Sequence, residues 1–328
     1  MSEFSLYRRF TEQGTLSEDP NEFPDPRFAL PSTVNWMHAL AVLVADQSIN
    51  FGSASLFYSS VGKRVLTPKE ENTIFEQLLF SLHQLSALEA LRSSACKADV
   101  ARVGIVAWYY GIYSAASAMV AAQDGSFQDD HTGTANVWDR QLAATGQVMM
   151  PFSPRVSTLV EATYKAEIDA LKAGQSFELT SKPSNSTEAL GACIAYLSGS
   201  AAWWKWKTES GVMASREFKA LSVANFRTKA ARELRDSRLA GKAVSFLHQA
   251  FRYRGKANYR EALFLGYGDS VETLLSDYLD DLASVLRGFV AMSGAFAYKR
   301  LGRSIWTEFI DDLDKHRSFQ VSPKSIWV

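Results

Sequence analysis

Between Phe251 and Arg260 the chain gathers four cationic groups (Arg252, Arg254, Lys256 and Arg260), one amide (Asn258) and two phenols (Tyr253 and Tyr259) within ten residues. Two guanidinium forks can grip a phosphate through paired N–H donors. The same positive charge favours the extra negative charge of a phosphoryl transition state. The plainer alternative is an arginine cluster that docks on the acidic segment just after it, where surface ion pairs contribute little.

Two further segments carry chemistry-bearing residues. In Trp203-Trp204-Lys205-Trp206-Lys207, rings alternate with ammonium groups. Such rings can stack on unpaired bases while the cations meet phosphate, and the competing reading turns the tryptophans inward and leaves the lysines solvated. The basic run Arg216, Lys219, Arg227, Lys229, Arg232, Arg235, Arg238 and Lys242 is too long for one helical face. Its steps of three and four through Arg232, Arg235, Arg238 and Lys242 nevertheless keep those four together, as a nucleic-acid-binding stripe that follows a phosphate backbone or as a solvated face paired with acids from Glu261 onward.

Other chemistries are missing from the sequence. There is no Walker-type glycine loop, no Gly-x-Gly-x-x-Gly after a strand and no Gly-x-Ser-x-Gly elbow. The histidines, His38, His83, His131, His248 and His316, show no His-x-x-x-His or Glu-x-x-His spacing, so neither a metal site nor a cofactor is expected. Cys96 and Cys193 are the only cysteines, which excludes a disulfide framework and points to a reducing compartment.

The elements that must position these residues read as helices almost throughout. Thr67-Pro68-Lys69-Glu70 has the form of a capping box with proline at the first helical position. It opens a helix whose Ile74, Phe75, Leu78, Leu79, Leu82, Leu85 and Leu88 fall on one stripe. A helix over Val103 to Ala122 ends near Asp124-Gly125. A loop from Gly125 to Pro154 carries His131-Thr132-Gly133 and a shorter amphipathic piece. Ser153-Pro154 caps a helix with Val156, Val160, Tyr164, Ile168 and Leu171 at helical spacing before Gly174. The polar run Ser181 to Thr187 is the best exposed loop or boundary. Helical stretches follow over Glu188 to Thr208, Arg216 to Gln249 and Ser270 to Arg300, and Asp269 with Glu272 resembles a second capping box. The first thirty residues read as an extended acidic arm, and Phe319 to Val328 alone could be strand. The fold class expected is all-α, a helical bundle.

Composition bounds the rest. The 328 residues are 47% hydrophobic and 21% charged, within the globular range, with a formal net charge of +0. That zero hides sorted blocks: 14 Lys and Arg against 4 Asp and Glu between Ala201 and Arg260, then six acids and no base from Glu261 to Val285. The N-terminal residues show no secretory pattern, so a cytoplasmic location is expected. Val103 to Gln123 is uncharged and long enough for a bilayer, but its Ala, Ser, Gly and Tyr content suits a buried central helix, and no membrane association is expected.

The segment Arg254-Gly255-Lys256-Ala257-Asn258-Tyr259 resembles the motif of the small prokaryotic branch of the HEPN superfamily (higher eukaryotes and prokaryotes nucleotide-binding domains): Arg, two residues, Ala, Asp or Asn, Tyr. The Tyr- and Ala-rich helix that precedes it in those domains corresponds to Trp108 to Ala116, the following loop to His131-Thr132-Gly133, and the helix after the motif to Leu274 to Tyr298. The resemblance covers residues 98 to 300 or so. It divides the chain into an arm over 1–30, N-terminal helices over 31–97, a HEPN-like domain over 98–315 with an inserted helix pair around 150–215, and a tail over 316–328. It implies RNA or another phosphate-bearing ligand, a homodimer across which two motifs meet, and a metal-independent endoribonuclease in prokaryotic antiviral defence or a toxin–antitoxin system. Arg252 and Arg254 would hold phosphate, Asn258 and Tyr259 would orient it, and Lys256 would add a backbone contact. The sequence departs from the family where a histidine should follow the arginine by four to six residues. Tyr259, Arg260 and Glu261 stand there, so His131 or His248 must come beside Arg254 through the fold, with His131 the candidate acid or base. Without such a neighbour the resemblance implies binding rather than cleavage. The rivals are a non-catalytic adaptor subunit held by a protein partner, and a DNA-binding accessory protein using the Arg216 to Lys242 face.

Overall fold

A computed structural model describes residues 5–6, 8–9, 26–172, 177–258, 260–268 and 271–328, with the backbone alone at 26, 27, 260 and 261. The all-α expectation holds: among the described residues there is no strand, and one isolated antiparallel bridge joins Val156 to Val244. The principal helices are α1 (Pro26–Asp46), α2 (Phe51–Phe57), α3 (Pro68–Leu91), α4 (Lys97–Asp124), α5 (His131–Trp138), α6 (Glu161–Lys172), α7 (Ser186–Ala214), α8 (Arg216–Ala220), α9 (Lys229–Ala240), α10 (Phe246–Asn258), α11 (Val271–Leu274), α12 (Tyr278–Leu301), α13 (Arg303–His316) and α14 (Lys324–Trp327). A π-helical turn, Asp139–Ala143, continues α5, and a 3₁₀ turn, Arg260–Leu265, follows α10.

The core is built on α3, α4 and α12, with α1 laid across α7 and α12. The capping box starts α3 as expected: the Thr67 amide donates to Glu70 Oε2 at 2.7 Å and the Glu70 amide to Thr67 Oγ1 at 3.3 Å. Ile74, Leu78, Leu82, Leu85 and Leu88 are all fully buried, so the stripe faces the core. Helix α4 ends at Gly125, whose φ of 83° is the left-handed conformation that glycine takes without strain. The small residues of α4 set its distance from α12. A Cβ on Gly111 would lie 2.7 Å from the Leu286 methyls, and one on Gly104 would lie 2.8 Å from Leu279. Helices α1 (from Phe28) and α4 are long and apolar enough to cross a bilayer, yet 72% and 78% of their apolar windows are buried within the molecule.

Several local expectations are corrected. Helix α1 begins at Pro26, so the supposed arm is helical in its last residues, and what precedes it lies mostly outside the described residues. Ser153-Pro154 starts no helix. The chain stays irregular until Glu161 because Val156 pairs its backbone with Val244, at N···O distances of 2.9 and 3.0 Å, and buries its side chain in a satellite core with Leu159, Tyr164, Ile168, Leu197 and Leu239. Gly174 and Asp269 fall outside the described residues. Glu272 caps a different helix, accepting from the amides of Lys97 (3.1 Å) and Ala98 (2.8 Å) and from the Cys96 thiol (3.0 Å). The C-terminal segment forms no strand: it bends through Phe319 to Val321 and ends in α14. Trp327 is fully buried above Gly294 and donates to the Val290 carbonyl at 2.9 Å.

Candidate functional site

Phe251 to Asn258 are not a linker between helices but the C-terminal half of α10, and that geometry sorts the expected residues. Two steps along a helix turn it by roughly 200°, so Arg252 and Arg254 point to opposite sides and cannot clamp one phosphate together. Arg252 faces α7. It donates to Ser200 Oγ at 3.3 Å, and its guanidinium lies 5.7 Å from the Tyr196 ring and 5.8 Å from that of Trp203. Arg254 faces α4 and α5, 4.9 Å from the centroid of Tyr109 and 5.0 Å from that of Phe251. Among the described residues neither guanidinium has a carboxylate partner, and Arg254 Nε is buried without an acceptor. The described acids of the block downstream, Glu272, Asp277, Asp280 and Asp281, therefore do not hold these two side chains.

The fold brings an imidazole to Arg254 from a distant part of the chain. His131 is the first residue of α5, fixed there because the Asp130 carboxylate accepts from the Gly133 amide at 2.7 Å as the N-cap. The loop expected to carry His131 thus ends at Asp130. The ring is walled by Tyr113 (centroids 4.4 Å, near-perpendicular), Tyr109 (5.3 Å), Tyr110 (5.7 Å) and Phe251 (6.2 Å), and Nδ1 is buried without a partner. Burial first, and then the positive charge of Arg254, lower the pKa of His131 below the ordinary imidazole value, against the opposing pull of Asp130. The neutral ring is the form a proton acceptor needs. Burial also raises the Tyr109 phenol, with Arg254 opposing, so that phenol stays protonated and can donate.

His248, the other imidazole weighed, is occupied. Its Nδ1 meets Ser245 Oγ at 3.0 Å, its Nε2 meets Asn136 Oδ1 at 3.1 Å, and burial lowers its pKa to about 4. Tyr253 is also structural: its hydroxyl donates to the Thr33 carbonyl at 2.8 Å and meets the Tyr278 hydroxyl at 2.5 Å in the core. Asn258 is exposed at the end of α10, one turn beyond Arg254 on the same face, and Tyr259 lies outside the described residues. Lys256 is 7% exposed, which removes it from any solvent-facing backbone stripe.

One cation near this face was not singled out from the sequence. Arg102 on α4 donates Nε to the Ala257 carbonyl at 2.9 Å, at the end of α10 beside Asn258. The signal was there: Arg102, Val106, Tyr109 and Tyr113 follow at steps of four, three and four, a single helical face.

The basic run divides as well. Arg232 is exposed and donates to the Arg227 carbonyl at 2.8 Å, and Lys242 is exposed beyond α9. Arg235 is held by Asp236 (2.8 Å) and Glu209 (3.8 Å), and Arg238 pairs with Glu217 at 3.3 Å. Among the described residues, the acids that meet this run come from α7, α8 and α9. In the tryptophan segment, both simple readings give way to a mixed one. Trp203 and Trp204 are half-buried and Trp206 is 45% exposed, while Lys205 is bound by Glu161 at 2.9 Å and Glu209 at 3.4 Å. Comparison with protein-family models, with curated proteins and with solved structures gives no match to this chain.

Proposed function

We propose that this chain is a HEPN-like protein that binds RNA, or a nucleotide-like phosphate ligand, between α10 and the start of α5. We further propose that it cleaves RNA there by a metal-independent route, in a prokaryotic defence or toxin–antitoxin setting. One observation carries the reading: Arg254, with no carboxylate partner among the described residues, shares an aromatic niche with the half-buried imidazole of His131.

In that niche the scissile phosphate would take the guanidinium as its counter-charge, and the neutral imidazole would accept the proton of the ribose 2′-hydroxyl. The 2′-oxygen attacks phosphorus, the bond to the 5′-oxygen breaks, and the imidazolium returns its proton to that leaving oxygen. The products are a 2′,3′-cyclic phosphate and a 5′-hydroxyl end. Arg254 serves the transition state more than the ground state, because the attacked phosphate gains negative charge beside a partly desolvated cation. Arg232 and Lys242, exposed at α9, would add salt-dependent backbone contacts for flanking RNA.

The test is degradation of RNA by the intact protein, with and without a chelator, and by two variants. Arg254→Ala is expected to lower the rate about a hundredfold or more, and His131→Ala by a similar factor, with chelator without effect. Cleavage that needs a divalent ion, or that survives Arg254→Ala, overturns the mechanism. Binding without cleavage leaves the ligand-binding half alone, and no RNA binding at all turns the assignment towards an adaptor subunit.

A further inference from the structure

One surface of α7 brings rings and cations together in an arrangement that the reaction at Arg254 does not use. Trp203 and Trp204 stand as a corner, centroids 4.9 Å apart and planes at 82°. Lys207, one turn on, holds its ammonium 5.0 Å from the centroid of Trp203 and 5.2 Å from that of Trp204. Arg252 reaches the same tryptophan from α10, at 5.8 Å. Neither cation has a carboxylate partner among the described residues, and the indole Nε1 of Trp204 is buried without an acceptor. The corner is also joined to the first site: Trp204 lies 6.1 Å from Phe251, and Phe251 lies 6.2 Å from His131. Trp204 and His131 are thus no further apart than those two spans laid end to end, a reach of one or two nucleotides.

The charge decides what kind of ligand suits the corner. Two perpendicular indoles can cage an ammonium, but here the surroundings are already cationic, so a further cation is repelled. A flat anionic ligand meets the opposite balance: its ring replaces the Lys207 ammonium on the indole face, and the released ammonium, with Arg252, meets its phosphate. A solvated ammonium on a ring is the weaker contact of the two, so the exchange is favourable. Bases paired in a helix offer no open face to such a corner.

We propose that Trp203, Trp204, Lys207 and Arg252 form a stacking subsite for an unpaired base of an RNA strand, whose neighbouring phosphate lies at Arg254 and His131. This rests on the RNA reading of that pair. The substrate is therefore single-stranded across the two sites, and the tryptophan corner sets its register.

The experiment measures anisotropy of a labelled short oligoadenylate, and of a hairpin duplex of equal length, with the full chain and its variants, alongside cleavage of both. Single-stranded RNA is expected to bind and the duplex to bind weakly. Trp203→Leu should weaken single-strand binding about tenfold, with Trp203→Phe restoring most of it, which separates a lost ring from a lost fold. Lys207→Gln should lower the salt dependence by about one phosphate contact while circular dichroism stays unchanged. Equal binding of duplex and single strand, or an unchanged KM in Trp203→Leu with cleavage intact, overturns the subsite while the reaction at Arg254 stands. Ring-dependent binding of oligoadenylate without any cleavage overturns the reaction and keeps the subsite. Binding of tetramethylammonium that competes with oligoadenylate shows a cation cage instead and overturns the proposal.

Discussion

The guanidinium of Arg254 lies 4.9 Å from the ring of Tyr109, and the same ring lies 5.3 Å from the imidazole of His131, so one phenol forms the shared wall of a cation and a titratable base. The arrangement ties their electrostatics together, with a measurable pH signature. Burial and then Arg254 lower the pKa of His131, so the neutral ring is favoured in the folded state. A histidine depressed in this way adds stability that is present above its unfolded pKa and is lost as pH falls through that value towards the folded one. The acid limb of the proposed RNA cleavage should therefore fall below the ordinary imidazole range. In Arg254→Ala the His131 ring resonances should titrate at higher pH, as followed by NMR. An unchanged His131 titration would show that the two side chains do not interact.

Arg155 makes a two-pronged contact with Asp139, Nε to Oδ1 and Nη2 to Oδ2, both at 2.8 Å. Asp139 is 5% exposed, so removing its partner strands a carboxylate in the interior, whereas the Arg155 side chain itself is 23% exposed. Arg155→Ala should cost roughly 3 kcal/mol in urea unfolding, at the low end for a buried pair because one partner is partly wet. Arg155→Lys should recover only part of that, since a single ammonium cannot reproduce the fork.

Glu272 caps α4 and also holds the thiol of Cys96. That hydrogen bond is the largest cause raising the thiol pKa, so at a given pH less thiolate is present than on an ordinary cysteine. Glu272→Ala should speed alkylation of Cys96 by iodoacetamide and also lower the melting temperature, because the first amides of α4 lose their acceptor. Cys193 is buried, and its thiol is pushed up by burial, so it should stay unreactive until the protein unfolds and serve as an internal control.

What could be read from the sequence was what short stretches of chain decide on their own. The Thr67 capping box, the Ile74 to Leu88 stripe and the Gly125 stop each depend on residues within a few positions, and the structure has all three. The opposed directions of Arg252 and Arg254 were also implicit in their two-residue spacing once the segment is helical. Other features depend on partners far along the chain. Val156 fits a helical pattern, yet its backbone is claimed by Val244. Glu272 lies in the first turn of α11, and its carboxylate also serves the distant amides of Lys97 and Ala98. The meeting of His131 with Arg254 belongs to this second kind. No local rule indicates which of five histidines faces a given arginine, whereas packing of α5 and α10 against α4 settles it.

The N-cap at Asp130 has a practical consequence. It seats His131 at the first residue of its helix, where fraying begins, while the opposing guanidinium sits inside α10, which packs against α4. Heating should therefore separate proton acceptor from counter-charge before the bundle melts. Loss of the proposed RNA cleavage would then run ahead of the loss of far-ultraviolet ellipticity, in a thermally loosened chain that still keeps its helices.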